Sequence, residues 1–343
     1  MLGNRHAPFI VAPLLATVFG LALFIVIYWH DGILRSLTAF SSDVLRTTAV
    51  FSLLAIGAAL VISSSYIDLS AMGVATVSGV IFAAILSHFD SVNVWSVGLA
   101  TLASLFFSLL SGFGVSFSVV NLRAPPLIFT WAIGSIYGLI AILLTSLAAD
   151  RVAHSVAGVP LHDPVSRTFW QPTGWGFYLS IATVLGALVL ILGVDLARRA
   201  CAIGANETSA VYAGVSKRRT LYECFVINAL LAGGAGILEI PALNSEASTG
   251  DLIGKELIPI AIAVLGGTAL TGGYINLLSV IAAAIFWAVA ELIGPQLQTY
   301  IPELSGAEVG KILFFFLFVL VVLAFGRFLG PPLPKIYAKK EGT

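Results

Sequence analysis

The sequence predicts an all-α polytopic membrane protein with about ten transmembrane helices. Three observations indicate this fold class: 59% of the 343 residues are hydrophobic, only 10% are charged, and the mean hydropathy is +1.02. Soluble domains carry roughly 25% charged residues, and a membrane-spanning helix needs about 20 predominantly apolar residues. The composition therefore supplies about ten spans and leaves little chain for a soluble domain.

Breaks at charges, prolines and glycine clusters divide the chain into apolar runs within a single transmembrane domain, residues 1–343. We expect spans at about 8–29, 48–67, 71–87, 95–120, 124–147, 175–197, 222–240, 257–270, 275–295 and 309–328. The first run is longer than a signal-peptide core and lacks a small-residue cleavage site, so we expect it to remain as a span. The short runs 48–67 and 257–270 end in Ser or Gly clusters, which predicts broken helices.

An internal similarity suggests two pseudo-repeated halves. Residues 55–70 resemble residues 263–279, with Tyr66-Ile67-Asp68 set against Tyr274-Ile275-Asn276. The alignment needs small gaps, so chance is the competing interpretation. Interrupted segments at matching places in two halves indicate a central path, because non-helical backbone at membrane depth is tolerated only where protein or water satisfies it.

The distribution of Lys and Arg predicts the orientation, since cytoplasmic loops retain positive charge. With the amino terminus inside, the inner segments hold 11 of the 17 basic residues and the outer segments hold 6. This predicts a multi-pass protein of the cytoplasmic membrane with both termini in the cytoplasm. The 17 basic and 17 acidic residues cancel, which removes the argument for a nucleic-acid partner from net positive charge.

The inner loop, residues 198–221, is too polar to lie in lipid and contains a predicted short helix. Asn206 is placed to cap this helix, Glu207 lies in its first turn, and Gly214 can end it. We interpret the helix as a docking element for a cytoplasmic partner. The alternative is a simple connector between spans.

Motifs for catalysis or metal binding are absent from the sequence. It contains no H-E-x-x-H, G-x-S-x-G or G-x-x-x-x-G-K-[ST] pattern. His154 and His162 share an outer loop that we interpret as solvated, and Cys201 and Cys224 lack metal-ligand spacing. We therefore expect no metal site and no catalytic residues.

Asp68 is the acidic residue within the apolar runs that we single out. It either fixes a helix break at a path or gate, or caps the helix that follows, and the two roles are compatible. None of the acidic residues in the runs is clearly near mid-membrane with a partner, which argues against coupling to an ion gradient.

Four stretches resemble, in order and spacing, the permease subunits of ribose-type ABC sugar importers, and the resemblance covers roughly residues 48–328. The stretches are YIDLS (66–70), NLRAPPLIFTWAIGSIYG (121–138), AIGANETSAVYAGVSKRR (202–219) and GKELIPIAIAVLGGTALTGG (254–273). The stretch 272–281 also resembles galactofuranose-type importers, which use two different permeases. Where that family usually reads G-G-I-D-L-S-V-G, this chain loses the flanking glycines and adds Tyr66.

The resemblance implies an importer subunit of the bacterial inner membrane that is not itself an enzyme and holds no cofactor. ATP and Mg²⁺ would bind a cytoplasmic ATP-binding subunit, and a periplasmic or lipid-anchored solute-binding protein would deliver a sugar or sugar-like solute. A second permease subunit, identical or different, would complete the path within membrane lipid. The alternative function is a secondary, ion-coupled carrier of a small polar solute.

The family motif implies a set of residues that couple the permease to the ATPase: Asn206, Glu207, Ala210, Tyr212, Ala213 and Gly214. Small residues and the added ring predict a second set at the translocation path or gate: Ser65, Tyr66, Asp68, Gly266, Gly267, Gly272 and Gly273. Ordinary helix packing is the competing explanation for the small residues.

Overall fold

The computed structural model describes residues 33–86, 88–89, 94–147, 195–239 and 255–300. Within these ranges the chain forms helices and no β-strand, which confirms the predicted fold class. The helices are α1 (Ile33–Ser63), α2 (Ala71–Leu86), α3 (Val94–Val120), α4 (Pro126–Leu147), α5 (Leu196–Ala205), α6 (Glu207–Tyr212), α7 (Lys217–Glu239), α8 (Leu257–Leu265) and α9 (Leu277–Tyr300).

Part of the predicted architecture lies outside the described residues. The predicted spans at 8–29 and 309–328, nearly all of 175–197, and the outer loop with His154 and His162 belong to this part. The number of about ten spans therefore stays a prediction. In the described part, four segments are long and apolar enough to cross a membrane: Val44–Ser63, Val94–Val120, Pro126–Thr145 and Lys217–Glu239.

Helix α1 begins well before the predicted start of its span at residue 48. The hydropathy pattern is interrupted by Arg46, but the helix continues through it because the guanidinium is paired. Arg46 Nη1 donates to Glu239 Oε2 at 2.8 Å, and both side chains are largely buried. A paired charge within a membrane bundle costs far less than an isolated one, so α1 can carry Arg46 along its length.

Helix α7 is the centre of the bundle and packs against α1, α2 and α3. Small residues set these contacts. A Cβ at Gly112 would lie 2.8 Å from Val226 Cα and 2.9 Å from Ala229 Cβ, and a Cβ at Gly236 would overlap the carbonyl oxygen of Ala75. Glycine at these positions lets the backbones approach closely, as is common between membrane helices.

The outward surfaces of α3 and α4 are apolar. Large side chains exposed with respect to the described residues include Trp95, Leu99, Leu102, Phe106, Leu110, Phe113 and Phe117 on α3, and Leu127, Ile128, Trp131, Ile136, Leu139, Ile142 and Leu143 on α4. Contiguous apolar surface of this kind suits acyl chains or another protein rather than water.

The two predicted interruptions are present. Helix α1 ends at Ser63, and residues 64–70, the first break, are not helical; α8 ends at Leu265 and is followed by the second break, residues 266–276. The hydroxyls of Ser63 and Ser64 donate to the carbonyls of Leu60 and Val61, each at 2.7 Å. These bonds satisfy the last carbonyls of α1 where the backbone leaves the helix.

Substitution at Gly236 tests the close packing of α7 on α2. Gly236→Ala should lower the free energy of unfolding by about 1–3 kcal/mol, because the added methyl group has no room beside Ala75. Thermal unfolding of the detergent-solubilised protein measures the change.

The matched control is Gly98→Ala on α3, where a Cβ would meet nothing within 4 Å in the described part of the chain. This variant should be at least as stable as the parent, because alanine favours helix by up to about 1 kcal/mol. Equal stability of the two variants would contradict the packing argument.

Candidate functional site

The short helix predicted in the inner loop is confirmed as α6. Asn206 lies in the extended region (φ −162°), and its Oδ1 accepts a hydrogen bond from Ser209 N at 2.9 Å. Gly214 ends the turn at φ +87°, a left-handed conformation that glycine adopts without steric cost. Both ends of the helix are thus set by local chemistry, and α6 is ordered although it is short.

Helix α6 presents apolar groups outward. Tyr212 is 89% exposed and Val211 is 50% exposed, whereas Ala210 is buried. The base of the helix is tied to α7 because Lys217 Nζ lies 2.7 Å from Glu207 Oε2. An exposed aromatic ring on a fixed helix is well suited to anchor a partner protein.

The two breaks and α5 meet at one point, which we call the junction: Ser63, Ser65, Gly204, Thr271 and Gly273. Gly273 N donates to the carbonyl oxygen of Ser63 at 2.9 Å. Ser65 Oγ lies 2.8 Å from the carbonyl oxygen of Thr271 and 3.3 Å from that of Gly204. Of the residues predicted at a path, Ser65, Gly272 and Gly273 thus lie together at the junction. Their role in a path stays a prediction.

Two glycines make the junction possible. A Cβ at Gly204 would overlap the carbonyl oxygen of Ser63, and a Cβ at Gly272 would overlap Ser65 Oγ. Gly272 also has φ +84°, and Ser65 itself has φ 67°, an uncommon value for a residue with a side chain. Gly204 was not among the predicted site residues, although a glycine inside a ten-residue helix is a recognisable signal of close approach.

The predicted pair Gly266 and Gly267 turns the chain out of α8. A Cβ at Gly266 would lie 2.5 Å from Val280 Cα, so this glycine packs directly on the backbone of α9. Gly267 has φ +88°. These positions are accounted for by packing and turn geometry, and their role in a path stays a prediction.

Asp68 lies near the end of the first break, and both of its carboxylate oxygens accept hydrogen bonds. Its Oδ1 accepts from Ser70 N at 2.8 Å and from Ser70 Oγ at 2.6 Å, and its Oδ2 accepts from Asn228 Nδ2 at 2.9 Å. The bonds to Ser70 hold the chain directly before α2, which begins at Ala71. The capping role of Asp68 stays a prediction, as does its role in gating.

The partner Asn228 was missed by sequence reasoning. At a rise of 1.5 Å per residue, Asn228 lies about 16 Å along α7 from Lys217, near the middle of that helix. Because Asn228 donates to Asp68, the end of the first break lies at the same depth. A Cβ at Gly57 of α1 would overlap Asn228 Oδ1, so glycine there is what admits the amide. The signal was an Asn inside an apolar run, a residue type that marks functional or packing sites in membrane helices.

Tyr66 lies against the first turns of α7. Its ring packs edge-to-face on Phe225 with a centroid separation of 6.3 Å, and Lys217 Nζ lies 5.9 Å from the ring centroid. The first break is thus held to α7 at two levels, through Tyr66 near the docking helix and through Asp68 deeper in the bundle.

The chain matches the family described as "Branched-chain amino acid transport system / permease component" over residues 40–322. The "Inner membrane ABC transporter permease protein YjfF" of Escherichia coli K12 is 31% identical over 238 residues, which cover 67% of this chain and 68% of the relative. No solved structure gives a significant match.

Two further relatives from Escherichia coli K12 have sugars in their names. The "Galactofuranose transporter permease protein YtfT" is 29% identical over 273 residues, 77% of this chain and 74% of the relative. The "Ribose import permease protein RbsC" is 29% identical over 245 residues, 67% of this chain and 70% of the relative.

Substitution of Asp68 tests the buried network. Asp68→Ala should lower the free energy of unfolding by about 3 kcal/mol, because the donors of Ser70 and Asn228 lose their acceptor inside the bundle. Thermal unfolding in detergent measures the loss.

The matched variant Asp68→Asn should cost less than about 1 kcal/mol. Its new carbonyl oxygen keeps both bonds from Ser70, and rotation of the Asn228 amide lets Oδ1, which has no partner among the described residues, accept from the new amide. An equal loss in both variants would show that the carboxylate charge, rather than the hydrogen bonds, holds the break.

Proposed function

Because the chain belongs to the "Branched-chain amino acid transport system / permease component" family, it is the permease subunit of an ABC importer, and we propose that its cargo is a sugar or sugar-like solute. It is a multi-pass membrane protein and a transport component rather than an enzyme. We also propose that α6 couples the permease to an ATPase, and the observation that carries this part is the position of α6, a capped helix with an exposed ring, next to the junction of both breaks.

The sugar cargo is supported by the relatives. Two of the similar permeases are named for galactofuranose and ribose. The family description names branched-chain amino acids instead, so a branched-chain amino acid is the cargo that an experiment has to exclude.

Coupling to ATP is assigned to α6. Its exposed Tyr212 and Val211 insert into a cleft of a separate ATP-binding subunit, which holds ATP and Mg²⁺. Gly204 of the junction lies two positions before the cap Asn206, so a displacement of α6 acts directly on the contact between both breaks. The apparatus is completed by a solute-binding protein and a second permease subunit.

The end of the bundle that carries α6 faces the cytoplasm in this proposal. Arg123, Arg198, Arg218 and Arg219 are exposed at that end, and cytoplasmic loops are the ones that retain basic residues. Both termini then lie in the cytoplasm. The solute enters from the opposite end, where Arg46 pairs with Glu239.

The proposed path follows the two breaks. Ser65, Tyr66 and Asp68 belong to the first break, and Gly266, Gly267, Gly272 and Gly273 belong to the second. Non-helical backbone inside a membrane bundle is stable where protein or a water-filled cavity satisfies its hydrogen-bonding groups. Here the two breaks bond to each other at the junction. Motion of the junction would open or close the path between the breaks.

Uptake into vesicles tests the function. Vesicles containing this chain with its ATP-binding and solute-binding partners should accumulate labelled ribose or another sugar when ATP is supplied, and should not accumulate leucine. Dissipation of proton and sodium gradients should leave uptake unchanged. Uptake driven by either gradient without ATP would identify a secondary carrier, and leucine uptake alone would overturn the sugar cargo.

Tyr212→Ala tests the docking role of α6. The ring is exposed, so its loss should not affect folding, but binding of the ATP-binding subunit should weaken about tenfold or more, as is typical of an aromatic hot spot. Co-purification and solute-stimulated ATP hydrolysis measure the effect.

The matched control is Trp95→Ala at the start of α3. Trp95 is 87% exposed and lies at the end of the bundle away from α6, so its loss should leave docking unchanged. Parental ATP hydrolysis in the Tyr212→Ala complex would refute the assignment of α6.

A further inference from the structure

We propose that Lys217 is a positioning residue that transmits movement of α6 to the first break, through Glu207 on one side and Tyr66 on the other. The inference rests on the proposed function, since it assigns the route by which docking reaches the path. It concerns a contact with Tyr66, a residue that this chain adds to the motif usual in the similar permeases.

The ammonium group of Lys217 lies close to both α6 and the first break. Its Nζ lies 2.7 Å from Glu207 Oε2 on α6 and 5.9 Å from the centroid of the Tyr66 ring. Lys217 is also the first residue of α7, so its backbone belongs to the central helix. One cation therefore connects the docking helix, the first break and the helix that holds the bundle together.

The first break is arranged to respond to this contact. Tyr66 follows Ser65, whose φ of 67° is uncommon for a residue with a side chain. The ring packs edge-to-face on Phe225, and Lys217 Nζ lies over it. Displacement of α6 moves Glu207 and with it the paired ammonium group, which shifts the cation relative to the ring.

The neighbouring basic residues make different contacts. Arg199 and Arg219 both pair with Glu223, at 2.6 and 2.7 Å, which ties α5 to α7 and α7 to itself. Arg218 is exposed. The ion pair of Lys217 joins α6 to α7, and its cation also lies over an aromatic ring of the first break.

The chemistry favours lysine as a link that can be made and broken. A partly exposed ion pair and a cation–π contact are both weak compared with a buried charge whose hydrogen bonds are all made. Contacts of this strength bias a conformation without locking it. A buried, tightly paired residue such as Asp68 would instead resist each cycle of movement.

The experiment measures solute molecules imported per ATP hydrolysed, in vesicles with the complete complex. Lys217→Met and Tyr66→Leu should each lower this ratio about fivefold. The double variant should lower it no further, because both changes interrupt the same link. Recovery of the complex by co-purification shows that the variants assemble. If Lys217→Met does not assemble, Lys217→Gln takes its place.

Two matched variants make the result specific. Lys217→Arg keeps the charge, so it should retain the parental ratio. Arg218→Met removes one positive charge from the adjacent position and should also retain it. A general effect of charge in this loop would lower the ratio in Arg218→Met as much as in Lys217→Met, and would overturn the proposal.

The remaining outcomes are also decisive. A parental ratio in Lys217→Met, or a double variant whose loss equals the product of the two single losses, would show that the residues do not form one link. Either result leaves the importer function intact. A parental complex that shows no ATP-driven uptake would instead refute the proposed function and this inference with it.

Discussion

The close approach of α7 to α1, α2 and α3 is the constraint on which the rest of the structure depends. Gly112 and Gly236 leave no room for a side chain at the contacts with α3 and α2, and Gly57 of α1 admits the amide of Asn228. In lipid, where burial of apolar surface gives little driving force between helices, such contacts supply the packing energy. The first break is positioned by α7, because Asp68 and Tyr66 both contact it.

Beside this central packing, the junction joins the end of α1, α5 and the second break by hydrogen bonds. The backbone N–H of Gly273 donates to Ser63, and the hydroxyl of Ser65 lies within hydrogen-bond distance of the carbonyls of Thr271 and Gly204. Helix α6 lies between the two regions, because its Glu207 pairs with Lys217 of α7 and its cap Asn206 lies two positions after Gly204.

Local signals in the sequence were enough to predict the local structure. The cap at Asn206, the stop at Gly214 and the two interrupted helices follow from the properties of single residues and their neighbours. The early start of α1 did not follow, because the charge that interrupts the run is neutralised by Glu239, 193 positions away. Pairs separated so widely leave no local pattern.

The same wide separation in sequence explains why Asn228 was missed. Asp68 and Asn228 are 160 positions apart, and neither the amide nor Gly57 gives a sign of the other. Tyr66 was expected to narrow a path because its side chain is larger than the residue usual in similar permeases. Its ring packs on Phe225 beneath Lys217, and its role in a path stays a prediction. The ring is therefore accommodated by α7, and the first break gains a contact with Lys217, the first residue of that helix.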